Sequence, residues 1–519
     1  ADERKFAGVV SSASPEATAA GVEILEAGGN AIDAAIAVSL ALAVTEPAGS
    51  GIAGQTVMLV REPGKDAVVI QGTTWSPREL PGDATAEQLQ YGRTASTVPS
   101  TLRVLDVAFE SFGSGRLQWP DLVAPAIHYA ESGFVVGPFR HRSFRNSADD
   151  LRRQVAARRI FIRDDNQVYQ VGERFRQPML AATLQRIADS GAMDFYTGGI
   201  AREIAHDMAA NGGWITARDL NDFPEPAIVP AIKGTYRDYD IETLPPPFAG
   251  WVVLQILNIL ELEDSSGLDQ DDAERRLNLL DAMRIAHGNR RSDPVLEYKY
   301  YAADVTARTK KSAAADMLLA YRERAGGETT HFSVVDGNGT AVAVTQSIDS
   351  YFGARVVHPK LGFLYNNYMQ GFQVDDPAAP YYLEERQMPL SSMSATIVSK
   401  NGDTLLALGS PGSARIISAV AQVTSHWIDI DDGIEAAVAA YRVHVVPDDK
   451  AYVEGQELGS ELLGGMAGRG FRLIRPTYGV SDSQLDAYFG GVHAVALEDG
   501  SWTGAADPRR DGTVGVAWR

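Results

Sequence analysis

A charged, glycine-rich run, Glu323-Arg324-Ala325-Gly326-Gly327-Glu328, divides this sequence into two stretches with different periodicity. Before it, Asp272 to Ala320 reads as helix. After it the chain turns into hairpins: Thr329 to Val335 passes through Asp336-Gly337-Asn338-Gly339 into Thr340 to Ile348, with largely alternating side chains. Asn401-Gly402 and Asp499-Gly500 mark two more turns, and Ala414 to Trp427 between them has the spacing of an apolar helix. The C-terminal part is therefore expected to mix antiparallel sheet with helices packed on it, and the linker to be exposed.

Upstream, Ala17 to Val44 predicts a helical pair broken at Gly28-Gly29-Asn30, where a C-cap signal precedes a second helix starting near Ala31. Gly49 to Gly54 predicts a tight loop, followed by paired strands at Thr56 to Val60 and Ala67 to Ile70. Leu102 to Asn211 is mostly amphipathic helix. Leu244-Pro245-Pro246-Pro247-Phe248-Ala249-Gly250 predicts a rigid loop, with an apolar helix from Trp251 to about Glu263 and an acidic stretch after it.

Composition removes several classes of function. With 519 residues, 45% of them hydrophobic, the chain can bury a sizeable core. A formal charge of -20 argues against nucleic acid as a ligand, since no basic stripe offsets the acidic excess. Without cysteine there are no disulfides, thiolate metal sites or cysteine nucleophile. The nine histidines form no H-E-x-x-H pair, so no metal is expected. Gly49-Ser50-Gly51-Ile52-Ala53-Gly54 matches G-x-G-x-x-G, but it follows a helix and precedes a strand, the reverse of a dinucleotide fingerprint; no cofactor is expected. The longest apolar stretch, Ala31 to Val44, is too short to span a bilayer. The first residues carry no apolar targeting segment, which fits a cytoplasmic protein or, by preference, a mature periplasmic or secreted one.

Glu328-Thr329-Thr330-His331-Phe332-Ser333-Val334-Val335-Asp336 read alone is a β-branched strand. Yet Thr329 to Asp336 closely resembles the segment that opens the small subunit of gamma-glutamyltransferases, also called glutathione hydrolases. The resemblance extends in order through Ala27 to Ala35, Glu46-Pro47 to Gly54, Arg78-Glu79, Pro245-Pro246-Pro247, Asn366-Asn367, Pro389 to Ser394, Gly409-Ser410-Pro411-Gly412 and Asp507-Pro508-Arg509. It implies an N-terminal-nucleophile hydrolase of α+β class: an αββα sandwich, two antiparallel sheets between helical layers. Two intertwined fragments, residues 1–328 and 329–519, would arise by self-cleavage between Glu328 and Thr329.

The resemblance also implies the chemistry. Thr329 becomes the nucleophile and its freed α-amino group the base, an arrangement that needs no histidine. An α-amine with a pKa of about 8 is close enough to neutrality for that task. Backbone N–H groups of Gly412 and Ser413 are the expected oxyanion hole, although the family usually has two glycines there. Thr345, Ser347 and Thr330 are expected to support the nucleophile.

On the substrate side the resemblance matches Arg78, Ser391 and Ser392 to residues that hold a carboxylate, a task the planar arginine fork suits. Where the family places an Asn, a Gln or Glu, and an Asp around an ammonium, this chain has Asp349, Tyr368 and Gly371, with Asn367 beside them. Two acyl groups stay open: γ-glutamyl, as in glutathione, with Asp349 as counter-ion, or an acyl group without an amine, as in glutaryl, cephalosporin or oxamate-type amides. Water or an amine would accept it. A carboxylate-binding protein that neither cuts itself nor turns over is the alternative of another class.

Overall fold

In a computed structural model the described residues are 4–262, 272–292, 295, 298–317, 329–379, 381–446, 449–455, 457–476 and 485–519. Glu328 and the glycine-rich linker lie outside them, as does most of the acidic stretch after Leu262.

Two sheets form the centre. The first has seven strands in the spatial order Thr513–Trp518, Phe6–Ser12, Thr330–Asp336, Ala341–Ser347, Gln55–Arg61, Val68–Gln71 and Ala227–Pro230, all antiparallel to their neighbours. The second has six, in the order Ser501–Ala506, His493–Glu498, Asp403–Gly409, Thr396–Lys400, Tyr239–Thr243 and Ile232–Tyr236, again antiparallel. The expected hairpins are present, turning at Asn401 and Asp499 with φ of 54° and 50°, values that Asn and Asp tolerate.

Side-chain alternation assigns the faces. Val335, Ala341 and Ala343 share an apolar cluster with Ile397, Ala407 and Val495 of the second sheet, so odd-numbered residues of the central hairpin look into the sandwich. Phe332, Val334, Val342 and Val344 look the other way, onto the helices Pro15–Glu26, Ala31–Thr45 and Thr101–Phe112. The second sheet is covered by Gly250–Leu260, Ala273–Ser292 and Arg415–Asp429. This is the expected αββα arrangement, and its solved likenesses are given below. Ala31–Thr45 is buried at every position, which explains an apolar pattern with no polar face. Asn30 and Asp33 close a capping box at its start.

Candidate active site

Antiparallel pairing brings several segments to one end of the sandwich. Ser347 ends the strand beside Thr330–Asp336 and pairs with Gln55, which follows the Gly49–Gly54 loop. Thr396 pairs with both Leu408 and Thr243, so the loops 391–395, 244–249 and 410–414 all open at one edge of the second sheet. The two edges meet where Gly409 faces His331: a Cβ at 409 would lie 2.3 Å from the imidazole, so only glycine fits. Gly54 is held to glycine in the same way, a Cβ there lying 2.3 Å from the Ser347 carbonyl oxygen. The glycine-rich loop is thus part of this corner, with Gly49 packed against the Thr329 carbonyl.

Thr329 sits just before its strand and is 5% exposed. Its hydroxyl donates to Ser347 Oγ at 3.4 Å, and that oxygen also accepts the Asp349 N–H at 2.8 Å. The Tyr368 phenol reaches Ser347 as well; burial first, then the charge of Asp349, keeps it protonated far above its ordinary range. Gln370 Nε2 donates to Asp349 Oδ2 at 2.6 Å. Asp349 and Tyr368 therefore converge on Ser347, which in turn meets Thr329.

Three expected residues are employed elsewhere. Thr345 does not support the nucleophile. Ser333 gives its proton to the His493 carbonyl (3.1 Å), so it accepts from His331 Nε2 (3.0 Å); His331 Nδ1 must then accept, and the Thr345 hydroxyl donates to it at 2.9 Å. Burial, with His493 beside it, holds His331 neutral. Thr330 has even parity and faces the helical layer, away from Thr329. Asn367 spends its amide on the loop, its oxygen accepting from Ser350 N at 2.9 Å and its nitrogen donating to Gln90 O at 3.2 Å.

The loop 410–414 follows directly on Gly409. Gly412 and Ser413 are buried, with φ of 121° and 60°, and among the described residues neither amide N–H has an acceptor. Buried amides without acceptors are rare in folded proteins, and two adjacent ones at the start of the helix Arg415–Asp429 form a ready anion site. The positive φ at Ser413 is the strained conformation that its side chain makes unfavourable. Gly491 N–H, donating to Ser410 Oγ at 3.1 Å, braces the loop from behind.

The three residues expected to hold a carboxylate are not brought together. Arg78 turns its guanidinium to Asp222 (3.0 Å) and Asp219 (4.0 Å), and among the described residues nothing joins it to Ser391 or Ser392. A different arginine does: Arg290, 9% exposed, donates to Ser392 Oγ at 3.0 Å and to the Ser391 carbonyl at 2.9 Å. It belongs to the helix Ala273–Ser292, where it is one cation in Asn289-Arg290-Arg291. The partners lie about a hundred residues downstream, and no local pattern marks the pair.

The gamma-glutamyltranspeptidase family model matches residues 17–517. The chain belongs to that family. It is 30% identical to the glutathione hydrolase proenzyme of Escherichia coli (strain K12) over 97% of this chain and 90% of that protein. It is 32% identical to the acylase ACY 1 proenzyme of Pseudomonas sp. (strain V22), over 98% and 93% respectively. Among solved structures, cephalosporin acylase from Bacillus halodurans superposes with a TM-score of 0.87 at 27% identity, covering 100% of this chain and 97% of that one. The protein is accordingly an enzyme of the hydrolase and acyltransferase class. Among the described residues no helix is long and apolar enough to cross a membrane.

Asp349 gives this corner a pH dependence. Burial pushes its carboxyl up to about 7, against the Gln370 hydrogen bond and the Arg355 charge. A carboxyl raised from about 4 in the unfolded chain binds its proton more tightly when folded, so its contribution to stability falls as pH rises from about 4 through 7. Urea midpoints at pH 5 and pH 8 are expected to show a smaller advantage of the parent over Asp349→Asn at the higher pH.

Proposed function

We propose that the protein is a self-processing amidohydrolase whose Thr329 takes an acyl group from a donor that carries a carboxylate but no α-amine. Cleavage before Thr329 yields fragments 1–328 and 329–519 and frees the α-amine. That amine accepts the hydroxyl proton as Oγ1 attacks the amide carbonyl. The oxyanion is held by the amides of Gly412 and Ser413; the leaving amine departs with the proton, and water releases the acid. The observation that carries this reading is the pair of buried, acceptor-less amides in the loop that follows Gly409, the residue that faces His331 two positions after Thr329.

The absence of an amine from the donor is favoured by what surrounds Asp349. Its carboxylate already accepts from Gln370, its proton affinity is raised, and Gly371 offers no second acid. An ammonium placed there has only the Asp349 carboxylate, already shared with Gln370, and lacks the second acid that would add a charge-assisted hydrogen bond worth about 1.5–3 kcal/mol. The acylase relatives agree with this assignment, whereas the glutathione hydrolase relatives favour a second reading in which Asp349 is the counter-ion of a γ-glutamyl group.

Turnover of glutaryl-p-nitroanilide against γ-glutamyl-p-nitroanilide separates the two. The glutaryl substrate is expected to have the higher kcat/KM by roughly tenfold or more, the equivalent of one such lost bond. Preference for the γ-glutamyl substrate transfers the assignment to the second reading.

A further inference from the structure

We infer that the buried pair Glu46 and Arg510 is a positioning device for the reaction: it spans the joint between the two fragments and fixes the 410–414 loop relative to Thr329. The inference rests on the reading of Thr329 as nucleophile and of the Gly412 and Ser413 amides as oxyanion donors.

Arg510 reaches both walls of the corner. Its Nη1 stands 3.7 Å from Glu46 Oε1, with both side chains at most 3% exposed, and its Nε donates to the Gly490 carbonyl at 3.3 Å. On the first wall, the Glu46 carbonyl accepts the Gly49 and Ser50 N–H groups, each at 3.1 Å, and so turns the chain into the glycine-rich loop. A Cβ at Gly49 would lie 3.8 Å from the Glu46 carboxyl carbon and 3.5 Å from the Thr329 carbonyl carbon, so both groups border the space beside that glycine. On the second wall, a Cβ at Gly412 would lie 3.3 Å from the Gly490 α-carbon, and the Gly491 N–H braces Ser410. A side chain at 491 would meet Arg510 Cδ at 2.4 Å, so the arginine packs directly on this glycine pair.

Helix stability does not account for a carboxylate at this place. Glu46 is the C-cap of Ala31–Thr45, where the negative end of the helix dipole disfavours an acid. The cation that suits a helix end is already supplied by Arg140, whose Nη1 donates to the Thr45 carbonyl at 3.4 Å. A buried charge pair also adds little net stability, because desolvation offsets the attraction. What this pair does is tie a helix end from before Thr329 to a loop from after it, across the gap between the first sheet, which Thr329 enters, and the second, from which Gly412 leaves. A shift of about 1 Å between reacting groups lowers a rate by roughly a hundredfold, so a tie at this joint acts on the chemistry without touching substrate.

The test uses Arg510→Met, Arg510→Lys, Glu46→Gln and the double variant Glu46→Gln with Arg510→Met, each checked for folding by its thermal midpoint and for cleavage by intact mass. kcat and KM are measured with whichever anilide, glutaryl or γ-glutamyl, the parent turns over faster, so the choice of acyl group does not enter. Butylboronic acid is the second probe: boron takes the Thr329 Oγ1 lone pair as the hydroxyl proton passes to the α-amine, and the tetrahedral adduct sets an oxygen where the oxyanion forms. Arg510→Met and Glu46→Gln are each expected to lower kcat and weaken boronate binding by roughly 10- to 100-fold, with KM changed less than about threefold. Arg510→Lys should recover part of the loss, and the double variant should be no worse than the poorer single one, as for residues that act as a unit. The isosteric Glu46→Gln carries the test if Arg510→Met does not fold. A loss carried in KM, or a kcat and boronate affinity within about threefold of the parent in Glu46→Gln, overturns the inference while leaving the Thr329 reading intact. A parent that stays uncut, turns over neither anilide and binds no boronate overturns that reading and the inference with it.

Discussion

Thr329→Ala should be isolated as one uncut chain with acyl transfer reduced by roughly ten-thousandfold or more, the scale on which removing a covalent nucleophile acts. The size of the effect follows from the surroundings. His331, the nearest imidazole along the strand, is neutral, buried and bonded to Thr345 and Ser333, so it can neither attack nor activate water. Ser347 is the other hydroxyl of the corner, but its oxygen is already engaged by the Asp349 amide and by Thr329. Thr329→Ser keeps the attacking oxygen and is expected to cut itself and retain measurable turnover. Intact-mass spectrometry and anilide turnover on the same samples provide the check. Fragments meeting at Thr329 in the alanine variant would sink the assignment.

The second large effect lies in a buried charge network behind the 410–414 loop. Asp507 receives Arg442 at 2.7 Å and Arg509 at 3.1 Å; Arg509 also pairs with Glu454, and all four residues are at most 3% exposed. Arg442 holds the Phe489 carbonyl and Asp507 the Val492 amide, so the network positions the segment whose Gly490 packs on Gly412. Asp507→Ala leaves two guanidinium groups with a single buried carboxylate, and a loss of about 3–5 kcal/mol is expected. Equilibrium unfolding in urea measures it; a loss under about 1 kcal/mol would mean that water enters and screens the arginines.

The same network predicts acid sensitivity. Burial pushes the Asp507 carboxyl up, but Arg442, Arg509 and the amides of Arg509 and Val492 outweigh it and hold the group below the ordinary carboxylate range. A depressed folded value gives stability that is complete above the unfolded value near 4 and is lost as pH falls below it. This runs opposite to Asp349, so the two carboxyls define a stability maximum between them.

The fold was legible in the sequence wherever one pattern controlled one element. The hairpin around Asp336-Gly337 was readable because alternation and turn residues agree, and the buried helix Ala31–Thr45 because its cap signals are local. At the site, Thr329 and Asp349 were reached only through the family resemblance and Ser347 also through strand parity; the structure sets Ser347 Oγ against the Thr329 hydroxyl and the Asp349 amide. Thr345 shares that parity, yet its proton goes to a histidine two residues beyond Thr329, a preference set by Ser333 and His493 on the facing strand. Arg78 and Arg290 show the limit most clearly. Which arginine reaches Ser391 and Ser392 depends on how the helix Ala273–Ser292 packs, information spread over contacts far apart in sequence.

Strand Phe6–Ser12 lies between Thr330–Asp336 and Thr513–Trp518, so a strand from before Thr329 is hydrogen-bonded on both sides by strands from after it. A cut before Thr329 leaves that interleaving in place, but it changes the reaction order of recovery. An uncut chain that unfolds refolds by itself at a rate independent of dilution, whereas the cut pair must first find each other. Dilution would then decide between renaturation and loss, and the working lifetime of the matured protein becomes a matter of how slowly it opens.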